Sequence, residues 1–134
     1  MSGLILKLAP KERLLVNGAV IENGDRRSRL SIVTPGAHIL RLRDAIHPHE
    51  ATTPVRRACY AAQLVLSGDR DPAEARQSLV RRIEELSQVF TDNDSRARLA
   101  DATAALISGR HYNCLKALRA LLPREARVLA ARPQ

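Results

Sequence analysis

The sequence predicts an α+β fold: a small antiparallel β region at the N-terminus, followed by a C-terminal bundle of about four helices. Three observations predict it. Up to about Ile46 the apolar residues fall in short runs separated by turn residues. From Thr53 onward they recur at spacings of three and four, and helix-start signals appear between the runs. Only Tyr60, Phe90 and Tyr112 are aromatic, so the core has to be built from Leu, Ile, Val and Ala. A chain of 134 residues makes one domain or two small lobes sharing a core. The division expected is a β-rich lobe over residues 1–50 and a helical lobe over 51–134.

The first strand is Leu4-Ile5-Leu6-Lys7-Leu8, ended by Ala9-Pro10-Lys11-Glu12. Arg13 to Val16 is the second, closed by Asn17-Gly18, and Ala19-Val20-Ile21 is the third, closed by Asn23-Gly24. Asn-Gly is a strong hairpin signal because a type I′ turn needs positive φ at both central residues. Ser28 to Val33 and His38 to Arg43 are the last two strands, joined across Thr34-Pro35-Gly36. Short strands at this spacing suggest a meander, sandwich or open barrel.

The second Asn-Gly is followed by Asp25 and then Arg26, Arg27 and Arg29. If Val33 faces Ala37 across a three-residue loop, Arg29 lies opposite Arg41 and Arg27 opposite Arg43. Leu30, Ile32, Leu40 and Leu42 then share the other face, as a half-buried hairpin requires. Like charges directly opposed in a sheet are destabilising. Two readings of that face stay open: an anion sits among the arginines, or the long side chains splay apart in water. Arg26 flanks the group.

Ile46-His47-Pro48-His49-Glu50 reads as a linker; two histidines without a third ligand at usable spacing are a weak metal signal. Pro54 suits the first turn of a helix whose apolar face is Val55, Ala58, Cys59, Ala62, Val65 and Leu66, ending at Gly68. Arg56 and Arg57 stand in that first turn, where the macrodipole disfavours cations; such conflicts often mark a binding surface. Asp71-Pro72-Ala73-Glu74 starts a second helix, which buries Ala75, Leu79, Ile83, Leu86 and Phe90. Thr91-Asp92-Asn93-Asp94 starts a third, with Leu99, Ala102, Leu106 and Ile107 following and Gly109 as its stop. A fourth runs from about Arg110 to Leu122, with Tyr112, Leu115, Leu118 and Leu122 on one face and Pro123 as its end. The tail from Arg124 reads as one more turn or a frayed end.

Net charge is +8, and 19 of the 22 cationic residues are arginine. Arginine grips phosphate with a planar fork, and a chain this basic is drawn to polyanions at low salt. Phosphate-binding loops, nucleophile elbows and Cys/His clusters at ligand spacing are all absent from the sequence. Glu84 and Glu85 are helix neighbours that do not face each other. These features predict no enzyme, no metal and no cofactor. Cys59 and Cys114 lie in apolar helical contexts and are expected as reduced, buried thiols. Leu4-Ile5-Leu6, broken by Lys7, is too short for a signal peptide, and no run reaches the length of a membrane span, so a cytoplasmic protein without membrane contact is expected. Residues 1–50 hold no Phe, Tyr or Trp on which a base could stack. Any RNA would be held by arginine forks, backbone groups and sheet edges.

The chain resembles the flagellar biosynthesis repressor family FlbT over nearly its full length. The residues that carry the likeness are Leu6-Lys7-Leu8 with Pro10-Lys11-Glu12, then Asn17 to Arg27, then Glu50-Ala51-Thr52-Thr53-Pro54-Val55-Arg56-Arg57 and Tyr60. The resemblance implies a small cytoplasmic regulator of flagellated α-proteobacteria that acts after transcription. It would associate with the 5′ untranslated region of flagellin mRNA and lower its stability or translation, with the small flagellar protein FlaF as genetic partner. Residues 4–46 are also similar to the carbon storage regulator family, a small β dimer that binds mRNA leaders through arginines. Leu4-Ile5-Leu6, Glu12 and Arg43-Asp44-Ala45-Ile46 carry that likeness. It implies an RNA-binding role for Arg43, while Leu8 and Ala9 stand where that family has a basic pair.

Two function classes follow. One is an mRNA-binding regulator that uses Arg26, Arg27, Arg29, Arg41, Arg43, Arg56 and Arg57. The other is an adaptor or chaperone that binds flagellin or FlaF through its helices without touching RNA. Unpaired edges of short strands further suggest a homodimer or a capped partner surface.

Overall fold

The computed structural model describes residues 4–17, 19–37, 39–41 and 45–131. Among them are five strands, β1 (Leu4–Leu8), β2 (Arg13–Val16), β3 (Ala19–Glu22), β4 (Ser28–Ile32) and β5 (Ile39–Leu40). Five α-helices follow, α1 (Pro54–Leu66), α2 (Pro72–Val89), α3 (Asn93–Ile107), α4 (His111–Arg119) and α5 (Leu122–Ala130). The chain is thus α+β, antiparallel sheet first and helices after. It forms two compact units, one of Met1–Ala45 with Ser67–Asp69 and one of Ile46–Leu66 with Arg70–Gln134.

In the β unit the strands make two separate sheets: β1 with β4, and β3-β2-β5 in that order. The Asn17-Gly18 hairpin forms as expected, with Val16 paired to Ala19 and Asn17 at φ 48°; Gly18 lies outside the described residues. The second Asn-Gly is no hairpin turn. Neither Asn23 nor Gly24 has positive φ, and β3 does not pair with β4. Among the described residues the terminal hairpin expected between Ser28–Val33 and His38–Arg43 is also absent. β4 pairs with β1, placing Leu4 opposite Ile32 and Leu8 opposite Ser28. β5 pairs with β2, placing Leu15 opposite Leu40. Arg29 therefore does not face Arg41 across a ladder, and Arg43, with His38, Leu42 and Asp44, lies outside the described residues. Leu8, Leu14 and Leu15 are buried in this unit.

In the helical unit α1 packs on α2 and α4, and α3 packs on the same two helices, closing a ring of four; α5 touches α1. The expected caps are in place. Asp71 accepts from the backbone N–H of Ala73 and Glu74, and Asp92 accepts from Ser95 N at 3.0 Å. Gly68 and Gly109 sit at φ 84° and 77°, the left-handed conformation that ends a helix cheaply only at glycine. Leu79, Ile83, Leu86, Leu106, Leu115 and Leu118 are all buried, as are Cys59 and Cys114, both free thiols. Ile107 and Tyr112, expected on apolar faces, are instead 58% and 49% exposed. Pro123 does not end α4. It stands in the first turn of α5, where its missing N–H costs nothing.

His47 and Glu50 form a capping box around the short 3-10 turn Pro48–Glu50. The histidine side chain accepts from His49 N at 3.2 Å and the Glu50 carboxylate from His47 N at 2.8 Å. Gln63, buried on α1, exchanges two hydrogen bonds with the Ile46 backbone, at 2.7 and 2.9 Å.

Candidate anion-binding cleft

One open cleft of 510 Å³ on the β unit gathers cations from three segments: Lys7 on β1, Arg27 and Arg29 at β4, and Arg41 after β5. Register puts them there. Lys7 is the direct cross-strand partner of Arg29, so side-chain alternation sends both to the same face. Arg27 lies two residues before Arg29 and follows the same alternation. The like-charge opposition read from the sequence is therefore present, but between Lys7 and Arg29.

The wall of the cleft is tied by Glu12, which is 5% exposed. Its carboxylate accepts from Arg41 Nε at 2.6 Å, from Arg41 Nη2 at 3.2 Å and from Ala9 N at 2.9 Å. Arg41 Nη2 also donates to the Lys7 carbonyl. The hydrogen bond to Glu12 holds the Arg41 guanidinium above its ordinary pKa. Arg41 is thus a neutralised strut that joins β1, the turn before β2 and the end of β5. The side chains of Lys7, Arg27 and Arg29 have no ion-pair or hydrogen-bond partner among the described residues.

Asn23 sets the approach of β4. Its amide donates to the carbonyls of Ala9 at 2.7 Å and Arg26 at 2.9 Å, and its oxygen accepts from Ser28 Oγ at 2.7 Å. Asn23 N donates to Glu12 O and Lys11 N to Gly24 O, extending the β2–β3 ladder to the turn. These bonds hold residues 26–28 against the end of β1 and so aim Arg27 at the cleft. Lys11, at φ 62°, makes a non-glycine left-handed turn after Pro10 and pairs with Asp25 at 2.9 Å, a contact exposed on both sides and so worth little.

The other sequence candidates lie elsewhere. Arg26 sits in the bend before β4 and does not line the cleft. Arg56 and Arg57 are exposed in the first turn of α1, on the helical unit. Their conflict with the helix dipole has a tertiary answer: buried Glu125 accepts from Val55 N at 2.8 Å and from Thr53 Oγ1, placing a carboxylate at that helix start. Sequence reading missed Lys7, Glu12, Asn23 and Glu125. A signal existed for Lys7 alone, as the one cation in a strand of alternating register. Among the described residues no group of three His, Cys, Asp or Glu side chains gathers as a metal site, and no helix is long and apolar enough to cross a membrane.

Fold and site together define a basic two-unit α+β protein whose β unit presents a cluster of cations. The profile of the family described as "Flagellar protein FlbT" matches residues 4–129. A protein of Allorhizobium ampelinum named "Probable flagellum biosynthesis repressor protein FlbT" is 31% identical over 128 residues, covering 96% of this chain and 85% of the relative. Proteins of the same name from Brucella abortus and Brucella ovis are 29% identical over 128 residues, covering 96% of this chain and 83% of theirs. No solved structure matches the chain. The chain belongs to the FlbT family of flagellar proteins.

Proposed function

We propose that this protein is a cytoplasmic post-transcriptional repressor of flagellin synthesis. It associates with the 5′ untranslated region of flagellin mRNA, promotes degradation or blocks translation, and grips the RNA backbone in the β-unit cleft. The observation that carries this reading is the convergence of Lys7, Arg27 and Arg29, without a partner among the described residues, while the buried Glu12 carboxylate of the cleft is engaged by Arg41. Cations opposed across a ladder repel until an anion lies between them. With no Phe, Tyr or Trp in the β unit, the contacts fall chiefly on phosphates, which position an RNA without reading it. The test is affinity for a flagellin leader RNA at two salt concentrations, against a scrambled leader. Lys7→Ala and Arg29→Ala should each lower the salt slope by about 0.7 with folding intact. An unchanged slope in both would remove the cleft from the reading.

A second reading, an adaptor that binds FlaF or flagellin without RNA, is favoured by exposed apolar side chains on the helices. Ile107, Tyr112, Val128 and Leu129 are 42–58% exposed. On that reading FlaF or flagellin binds with equal affinity to the wild-type chain and to Arg29→Ala. Exposed Leu4 and Ile5 on β1 support a homodimer, which sedimentation across a concentration series would detect.

A further inference from the structure

On the helical unit a smaller cleft of 170 Å³ lies between the first turn of α1 and the last turns of α2, lined by Pro54, Arg57, Arg82, Glu85, Leu86 and Val89. Three features set it apart from ordinary surface. Arg82 is half-buried, and its Nε is buried with no hydrogen-bond partner, a donor stripped of water without compensation. Arg57 has no anionic partner among the described residues. Val89 is 64% exposed beside buried Leu86, an apolar wall left to water.

We propose that this cleft binds the carboxyl terminus of a partner protein that ends in an aliphatic residue. Each element of the cleft has a counterpart in that ligand. Arg57 and Arg82 present guanidinium forks, which match a carboxylate geometrically and make the stronger, charge-assisted kind of hydrogen bond. Leu86, Val89 and Pro54 offer an apolar wall to one side chain, and the volume suits one residue. Within a polypeptide, a free carboxylate and an aliphatic side chain meet on one residue only at the C-terminus. Glu85 can accept the N–H of the final peptide bond. Two arginines against Glu85 leave one net positive charge, which matches a single carboxylate rather than a run of phosphates, so charge and apolarity favour a peptide end over an RNA strand here. This site is independent of the β-unit cleft and stands whether or not that cleft holds RNA.

The test is an amide-resonance titration of the full chain with acetyl-Gly-Ala-Leu carrying a free carboxylate, with its carboxamide, and with inorganic phosphate. The free acid should give saturable shifts at Val55–Arg57 and Arg82–Val89, and the carboxamide none. Arg57→Gln and Arg82→Gln should each weaken binding roughly tenfold, the loss of one charge-assisted contact. Val89→Asp should abolish it, and Arg29→Gln should leave it unchanged. Arg57 and Val89 are exposed, so those variants fold. The proposal is overturned by equal shifts from acid and carboxamide, by phosphate producing the same shifts at the same concentration, by flagellin leader RNA displacing the peptide from these residues, or by no saturable shift up to about 10 mM.

Discussion

Asn23 does with its side chain what a turn dipeptide would do with its backbone. Read as half of Asn-Gly, it promised a hairpin between β3 and β4; in the structure it joins two sheets instead, by bonds to Ala9, Arg26 and Ser28. Nothing local distinguishes the two uses, because the partners of an amide side chain are fixed by strands that are distant in sequence. Asn23→Ala removes three good hydrogen bonds and should cost about 1–3 kcal/mol in urea unfolding. It should also weaken leader-RNA binding, since Arg27 is no longer held. A variant as stable as wild type would mean that the 26–28 segment is fixed by β4 alone. Arg41 teaches the same lesson from the other side. Its charge counted toward a basic face in the sequence, and in the structure it is taken up by Glu12.

At the scale of elements, helix starts were legible because their signals are local: Asp71-Pro72 and Asp92 cap the residues that immediately follow them. Strand pairing was not legible, because β1–β4 and β2–β5 join segments far apart in sequence, and the loop Thr34-Pro35-Gly36 says nothing about where its flanks go. α5 was hidden by Pro123, which serves as a helix stop and a helix start with equal ease. The first turn of α5 ties two other helix starts. Arg124 bonds Ser95 Oγ at 2.9 Å and pairs with Asp94, while Glu125 closes α1. Glu125→Ala should cost about 1–3 kcal/mol by leaving the Val55 N–H without an acceptor and removing the one that takes the Thr53 hydroxyl proton. Hydrogen exchange should quicken first at Val55 and Arg56. Asp92 supplies the pH dependence. Hydrogen bonds from Ser95, side chain and backbone, with Arg124 nearby, hold its carboxyl below the ordinary value. The folded chain thus binds that proton less readily than the unfolded chain. The contribution is whole above about pH 4 and is lost as pH falls through the lower folded value. Asp92→Asn keeps a capping oxygen and removes the titration, so its melting temperature should fall less steeply than wild type below that pH.

For the whole molecule, the apolar core of the helical unit was the most legible part, since periodicity at three and four selects the buried face regardless of which helix it meets. Leu79, Ile83 and Leu118 needed only that pattern. Both thiols report on this core. Burial pushes Cys59 up to about 12 and Cys114 up to about 11, so almost no thiolate exists in the folded state at neutral pH. The folded protein should be inert to a thiol-exchange reagent at pH 7, and both cysteines should react together once guanidinium unfolds the helices. Rapid reaction of either in the native state would show that the ring of helices opens on its own. The cation cluster was legible in kind and not in place. Composition announced it, but the assembly of Lys7 with Arg27 and Arg29 depends on a register that only the folded sheet supplies.

The carboxylate that completes the start of α1 arrives 70 residues after Val55, whose N–H donates to it. A ribosome adds roughly 5–20 residues each second, so roughly 4–14 s of synthesis separate Val55 from Glu125. Throughout that interval the first turn of α1 lacks its carboxylate, even as α2, α3 and α4 are made. Translation that stalls before residue 125 leaves a fragment whose first helix frays. Quality control can therefore recognise an unfinished regulator by its beginning, although what it lacks is near its end.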